Sequence, residues 1–204
     1  HISTEPSTPR VGWWCQWRPC VPLRCCRHPK VSFVGRGTPS LELRMPEQPH
    51  PNVVRVVEAA RAAGFDIETK RFPEGTKTAQ DAATAIGVEV GQIVKSLVFG
   101  VDDEIVMALV SGSNQLDEKK LAAAAGGAKC KRVDADAVRE ATGFPIGGVP
   151  PFGHTKQLRV FVDPDLLQYD EVWAAAGTWN DNFGANPNDI VRVAGGVVTD
   201  LKRV

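Results

Sequence analysis

The 204-residue chain lacks the local signatures of most nucleotide-, metal- and nucleophile-dependent enzymes. There is no G-x-G-x-x-G or Walker A loop, which speaks against a dinucleotide site or a P-loop. No H-E-x-x-H pair supplies zinc ligands, and no G-x-S-x-G elbow presents a serine. Ser111 and Ser113 fall near a strand end without a marked histidine partner. The longest aliphatic run of note, residues 105–110, is far short of the ~18 residues of a membrane span. No basic segment leads into an apolar one, so no secretory signal is readable. Internal repeats are absent, as is low complexity beyond the alanines at 122–125. Net charge is absent too, with 24 basic and 24 acidic side chains. Taken whole, that balance speaks against a broad grip on nucleic acid.

The zero conceals two unlike parts. Residues 1–44 carry seven basic side chains against Glu5 and Glu42, a net +5, and the remaining 160 residues carry −5. The first part also holds four of the five cysteines and six of the fifteen prolines, with no helical or strand period. It is expected to be a poorly ordered leader preceding a start at Met45. Its cysteines run C-x4-C-x4-C-C from Cys15 to Cys26. Zinc sites pair their ligands two to four residues apart, so neither a metal nor any other cofactor is expected. Cys130 stands alone in the main part and reads as a half-buried small hydrophobe. A single cysteine there suits a reducing cytoplasm.

From Met45 onward short helices and strands alternate, which predicts one α/β (α+β) domain. Pro51 suits the first turn of a helix that Gly64 closes. Residues 65–72 alternate enough for a strand. Thr78 and Asp81 predict a capped helix ending at Gly87. Residues 93–101 and 105–110 predict a hairpin turning at Asp102 and Asp103. Further helices are expected over 116–125, 134–142 and 187–193, and further strands over 158–162, 172–176 and 197–201. Trp173 and Trp179 read as core and loop anchors, with no stacking pattern to mark a base platform. Lys119 with Lys120, and Lys129, Lys131 and Arg132, form small basic clusters: either solvated faces or phosphate contacts.

Two places break the local rules, and such breaks are where function concentrates. In a strand, Ile93, Lys95, Leu97 and Phe99 share one face. The Lys95 ammonium therefore either finds a partner or lines a cleft, or it snorkels to water. The second break is GFPIGGVPPFGH, residues 143–154, with four glycines and three prolines in twelve positions. Gly147 and Gly148 permit positive φ and close approach of a ligand to the backbone. Consecutive N–H groups there can hold an anion or a polarised carbonyl; otherwise the segment is a rigid connector. His154 just beyond is a base, a ligand or neither.

In order, the chain shows IVKSLVF, MALVSGSNQLDEKKLAAAAG, TGFPIGGVPPFGH, VFVDPDLL and AAAGTWNDNF. This series resembles the YbaK/prolyl-tRNA synthetase-associated family of trans-editing domains over residues 49–204. The resemblance implies a mixed, curved sheet or open barrel surrounded by short helices. It also implies hydrolysis of the ester joining a wrong amino acid to tRNA, typically a prolyl tRNA. The partners implied are the acceptor end of a mischarged tRNA and an aminoacyl-tRNA synthetase, with no membrane. On this likeness Lys95 is the family lysine, while Gly147, Gly148, Pro151 and Gly153 form the substrate loop with His154 just beyond. Asp163 matches an acidic position, and Leu97 and Phe99 line the site. Many members carry serine where this chain has Pro150, which leaves cysteine, alanine, serine, threonine or a non-protein analogue open as the residue removed.

An aminoacyl ester is already activated, so hydrolysis needs positioning and a place for the oxyanion more than a strong nucleophile. The attacker implied is a positioned water, or the substrate's own thiol. Two readings from other classes stand beside this one: a noncatalytic module that binds an acceptor end or aminoacyl-nucleotide, and a synthetase partner without a pocket.

Overall fold

The computed structural model describes residues 48–204, and the cysteine-rich leader lies outside the described residues. Helix α1, Pro51–Ala62, starts where His50 accepts the Asn52 N–H, with Pro51 in its first turn. Val53, Val56 and Ala60 recur at helical spacing and are its buried side chains. The strand expected over 65–72 shrinks to β1, Thr69–Arg71. Helix α2, Ala79–Ile86, has the complete capping box of Thr78 and Asp81 and ends at Gly87 in the left-handed region. The hairpin forms from β2, Val94–Val101, and β3, Glu104–Ser111, paired through all eight positions.

Helix α3, Glu118–Ala125, leads to β4, Cys130–Arg132, and helix α4 spans Ala135–Thr142. After the glycine-proline segment come β5, Arg159–Val162, a 3-10 turn at Pro164–Gln168, and β6, Val172–Ala175. Strand β7, Asp181–Ala185, helix α5, Pro187–Ala194, and β8, Val197–Val198, complete the order. A mixed five-stranded sheet runs β4-β2-β3-β5-β8, and a three-stranded antiparallel one runs β1-β7-β6. A parallel bridge between Ile93 and Trp173 joins them at the start of β2. Neither sheet closes into a barrel, in keeping with the expected mixed α/β domain with an open sheet.

Strands β4 and β7 were not expected from the sequence. The Lys131 and Arg132 cluster is an edge strand that pairs with residues 99–101 of β2. The segment Asp181–Ala185 has no element expected for it, yet β1 and β6 flank it on both sides. Its buried polar groups are satisfied: Asp181 accepts from the Thr178 hydroxyl, and Asn182 donates to Thr76 Oγ at 2.9 Å. Pairing on two edges outweighs the weak strand propensity of Asp, Asn and Gly.

The five-stranded sheet separates two cores. Val94, Met107, Leu109, Val160 and Val162 pack with α1, with Phe144 and with Phe183. Phe99, Val106, Ala108, Val110 and Phe161 pack beneath Leu121 and Ala122 of α3. Lys95 stands opposite Val110 and so belongs to the second face, in the phase that the alternation predicts.

The segment 143–154 is stapled from behind. The Arg55 guanidinium lies 3.8 Å over the Phe144 ring and donates to the Thr142 carbonyl at 2.8 Å. His154 meets the edge of Phe144 at 6.3 Å and donates from Nε2 to the Pro150 carbonyl at 2.8 Å. Burial lowers the imidazole pKa and the Arg55 charge lowers it further, against the opposing pull of the Pro150 carbonyl. The folded protein therefore keeps His154 neutral where an unfolded chain, titrating near ~6.5, already takes up a proton. Stability is accordingly present above that value and is lost as pH falls toward the lowered pKa of the folded state. The urea midpoint is expected to drop between about pH 7.5 and pH 5.5. His154→Gln, which keeps the donor without the titration, should flatten that slope. Equal slopes for the two proteins would refute the assignment.

Candidate functional site

Strand β4 covers only residues 99–101 of β2, so residues 94–98 lie beyond its end. A cleft opens along this uncovered stretch, between β2 and the glycine-proline segment. It has two lobes that share Lys95, Ser96, Leu97, Ile146, Gly147 and Val149. The larger lobe, about 690 Å³, is completed by Phe99, Gln115, Arg132 and Arg203 among others. The smaller lobe, about 320 Å³, is completed by Thr76, Thr78, Ala79, Trp173, Ala175 and Asn182. The two rule-breaking features of the sequence thus meet in one site, at the waist between the lobes.

Lys95 is half-buried and held from beneath. Its ammonium donates to the Gly112 carbonyl at 3.2 Å and to the Asn114 carbonyl. Those carbonyls belong to a turn that Asp163 anchors: its Oδ2 accepts the Ser111 N–H at 3.2 Å and the Asn114 amide at 2.8 Å. The Asn114 amide also reaches Asp165 at 2.7 Å, and Lys202 closes on Asp165 at 3.1 Å. Donation from Asn114, then from Lys202, holds the Asp165 carboxyl below its usual range. Burial pushes the Lys95 pKa down, and the negative charge of Asp163 opposes that shift.

Ser96 went unremarked in the sequence. The Gly112 N–H bonds to the Ile93 carbonyl at 2.7 Å, which sets the phase of the ladder. Odd-numbered residues of β2 therefore bond to β3, and the N–H and carbonyl of Ser96 point away from β3, toward the cleft. Its hydroxyl is buried and has no hydrogen-bond partner among the described residues. An unsatisfied buried hydroxyl in a cleft wall is what a ligand's polar atom would complete. The available signal was a serine in the Val94, Ser96, Val98 phase, where its neighbours are apolar.

The glycine-proline segment contributes by its turn. The Gly148 N–H donates to the Pro145 carbonyl at 3.0 Å, and Gly147 takes φ +85° at the third position of that turn. Positive φ was expected to be open to both glycines, and only Gly147 adopts it. Gly148 is required for space instead, since a Cβ there would lie 2.9 Å from the Thr178 backbone. Its N–H is engaged within the turn, so it is not directed at a ligand. The Trp179 indole N–H donates to the Ile146 carbonyl at 2.5 Å and holds the turn from outside.

Of the residues singled out from the sequence, Lys95, Leu97, Phe99 and Gly147 line the cleft. Gly148 and Pro150 are buried behind it. Pro151, Gly153 and His154 border a separate surface depression beside Arg192. Asp163, 1% exposed, lies under the turn that holds Lys95. Among the described residues no group of His, Cys, Asp and Glu side chains converges as metal ligands do, and no helix is long and apolar enough to cross a membrane.

Comparison with known proteins places relatives beside this chain. A crystal structure of a candidate trans-editing enzyme for prolyl tRNA synthetase superposes with a TM-score of 0.73 at 44% identity, covering 77% of this chain and 100% of that one. EbsC of Enterococcus faecalis, described as a candidate Cys-tRNA(Pro)/Cys-tRNA(Cys) deacylase, is 28% identical over 155 residues, 76% of this chain and 94% of that protein. A proline–tRNA ligase of Maridesulfovibrio salexigens is 36% identical over 107 residues, 52% of this chain but only 18% of that longer protein. The profile of the family described as "Aminoacyl-tRNA editing domain" matches residues 73–193, and with the lysine strand and the glycine turn brought to one cleft, the chain belongs to that family.

Proposed function

We propose that residues 45–204 act as a trans-editing deacylase that hydrolyses the ester of a mischarged tRNA, in the first instance a prolyl tRNA. The observation that carries this reading is the meeting of Lys95, Ser96 and Gly147 at the waist of one two-lobed cleft. The similarity to EbsC, named for cysteinyl-tRNA, and to part of a proline–tRNA ligase supports both the substrate class and a working association with that synthetase.

In this reading the ester lies across the waist. The aminoacyl group occupies the smaller lobe, whose floor of Ala79, Ile93, Trp173 and Ala175 is largely apolar. The terminal adenosine occupies the larger lobe, where Arg203, and Arg132 at 4.0 Å from Glu118, are the cations available to its phosphate. An ammonium has three N–H groups. Two of those on Lys95 are directed at the Gly112 and Asn114 carbonyls, which leaves one for the oxygen that gains charge during attack. The Ser96 N–H, on the open edge of β2, is the second donor to that oxygen. No cysteine or histidine lines either lobe, and the attacking group in this reading is water or a thiol of the substrate itself. Asp163 and Asn114 act through Lys95: they hold the turn whose carbonyls aim it.

The test is a panel of tRNAs charged with cysteine, alanine, serine and threonine, incubated with the full chain. One of them should be deacylated, whereas hydrolysis of none would leave a binding module in place of an enzyme. Lys95→Ala should lower deacylation by about 10²–10³-fold with the fold retained; full activity in that variant would remove its assigned role. Because the charged form is required and its pKa lies below that of a free lysine, activity should decline on the alkaline side before pH ~10.4. Gly148→Ala should lower both activity and stability, the latter by about 1–3 kcal/mol, as the added Cβ displaces the turn. Wild-type kinetics and midpoint in Gly148→Ala would show that the turn tolerates the displacement.

A further inference from the structure

The far side of the Ile146 and Gly147 turn carries a second groove of about 620 Å³, whose walls include His50, Arg71, Arg139, Thr178, Trp179 and Asn180. Not one carboxylate lines it, although residues 45–204 carry a net charge of −5. Arg139 is exposed and makes no ion pair among the described residues. Arg71 lies 3.9 Å from the Asp181 carboxylate. Trp179 is 50% exposed, and its N–H is tied inward to the Ile146 carbonyl, which fixes the ring at the rim. Ile146, itself 51% exposed, lines the cleft next to this ring.

Groove and cleft are therefore back to back. A Cβ on Gly147, which lines the cleft, would sit 2.9 Å from Trp179 Nε1. Thr76, which lines the smaller lobe, donates to the Trp179 carbonyl at 2.7 Å. A flat aromatic held at a rim beside guanidinium groups is the combination that takes a single-stranded polynucleotide. Bases stack on the ring, and phosphates pair with the arginines.

We propose that this groove binds the unpaired nucleotides preceding the esterified 3′-terminal adenosine. They cross the exposed Ile146, stack on Trp179 and place their phosphates against Arg139 and Arg71. The proposal rests on the tRNA reading of the cleft, but it concerns binding and not hydrolysis. It also accounts for how an acidic body holds a polyanion: the contact is short and local, and no carboxylate is among the residues that line it.

The test measures binding of a 5′-fluorescein ACCA ribotetranucleotide to the full chain by anisotropy, without any ester. Wild type should bind, with an affinity that falls as salt rises. Arg139→Glu and Trp179→Leu should each weaken binding about tenfold or more. Arg61→Glu supplies the nonspecific contribution: it makes the same charge change near the opposite end of α1, about 16 Å from His50 at 1.5 Å per residue. Thermal midpoints report on folding, and Arg139→Glu is the decisive variant, because that side chain is exposed and unpaired. No binding by the wild type, or losses in Arg139→Glu no larger than in Arg61→Glu, would overturn the groove while leaving deacylation untouched. Groove-dependent binding from a protein that deacylates no member of the tRNA panel would instead retain the groove and remove the catalytic reading.

Discussion

The architecture of the site depends on a buried carboxylate holding a turn. Asp163, at the end of β5, takes the Ser111 N–H and the Asn114 amide, and so closes the turn that leaves β3. That turn presents two carbonyls to one ammonium. Without it, Lys95 would be a charge on an apolar strand face with nothing to hold it short of water. With it, the lysine is fixed at the waist of a cleft, its ammonium held by two carbonyls. Asp163 is thus a support for the lysine, one layer below the surface of the cleft.

A second constraint is an absence of pairing. Strand β2 has β3 along its whole length on one side, but on the other β4 is only three residues long. The uncovered stretch leaves backbone groups of Ser96 facing a cavity, where a longer β4 would have consumed them. An open edge is normally a liability that proteins cover or charge. Here the glycine-proline segment stands across the gap without pairing to it, and the gap becomes the site. The Arg55, Phe144 and His154 staple keeps that segment in place. Its prolines and histidine serve the segment's rigidity, not the cavity wall.

Much of this was legible in the residues. Pro51, the Thr78 and Asp81 box and Gly87 mark helix ends because capping is decided within a few positions of the chain. The β2–β3 hairpin was legible for the same reason, with two aspartates turning between two apolar runs. The misplacement of Lys95 among hydrophobes followed from strand alternation alone. Strand β7 was not legible, because its Asp, Asn and Gly are held by β1 from a distant part of the chain as well as by the neighbouring β6. The positive φ of Gly147 and the steric need at Gly148 could not be told apart either, since the second depends on Thr178, thirty residues onward.

The amino-acid sequence by itself determined the secondary elements that carry their own end signals. It also determined the face on which Lys95 falls and the stiffness of the segment 143–154. These follow from periodicity, capping and the fixed φ of proline, all short-range properties. Only the tertiary structure decided that β4 stops short, that Asp163 lies beneath the lysine and that the Ser96 hydroxyl has no hydrogen-bond partner among the described residues. It alone set Trp179, read from the sequence as a plain anchor, beside Arg139 on the far wall of the turn. Each of these is a pairing or packing relation between residues far apart in the chain, and no local pattern encodes where two such segments meet.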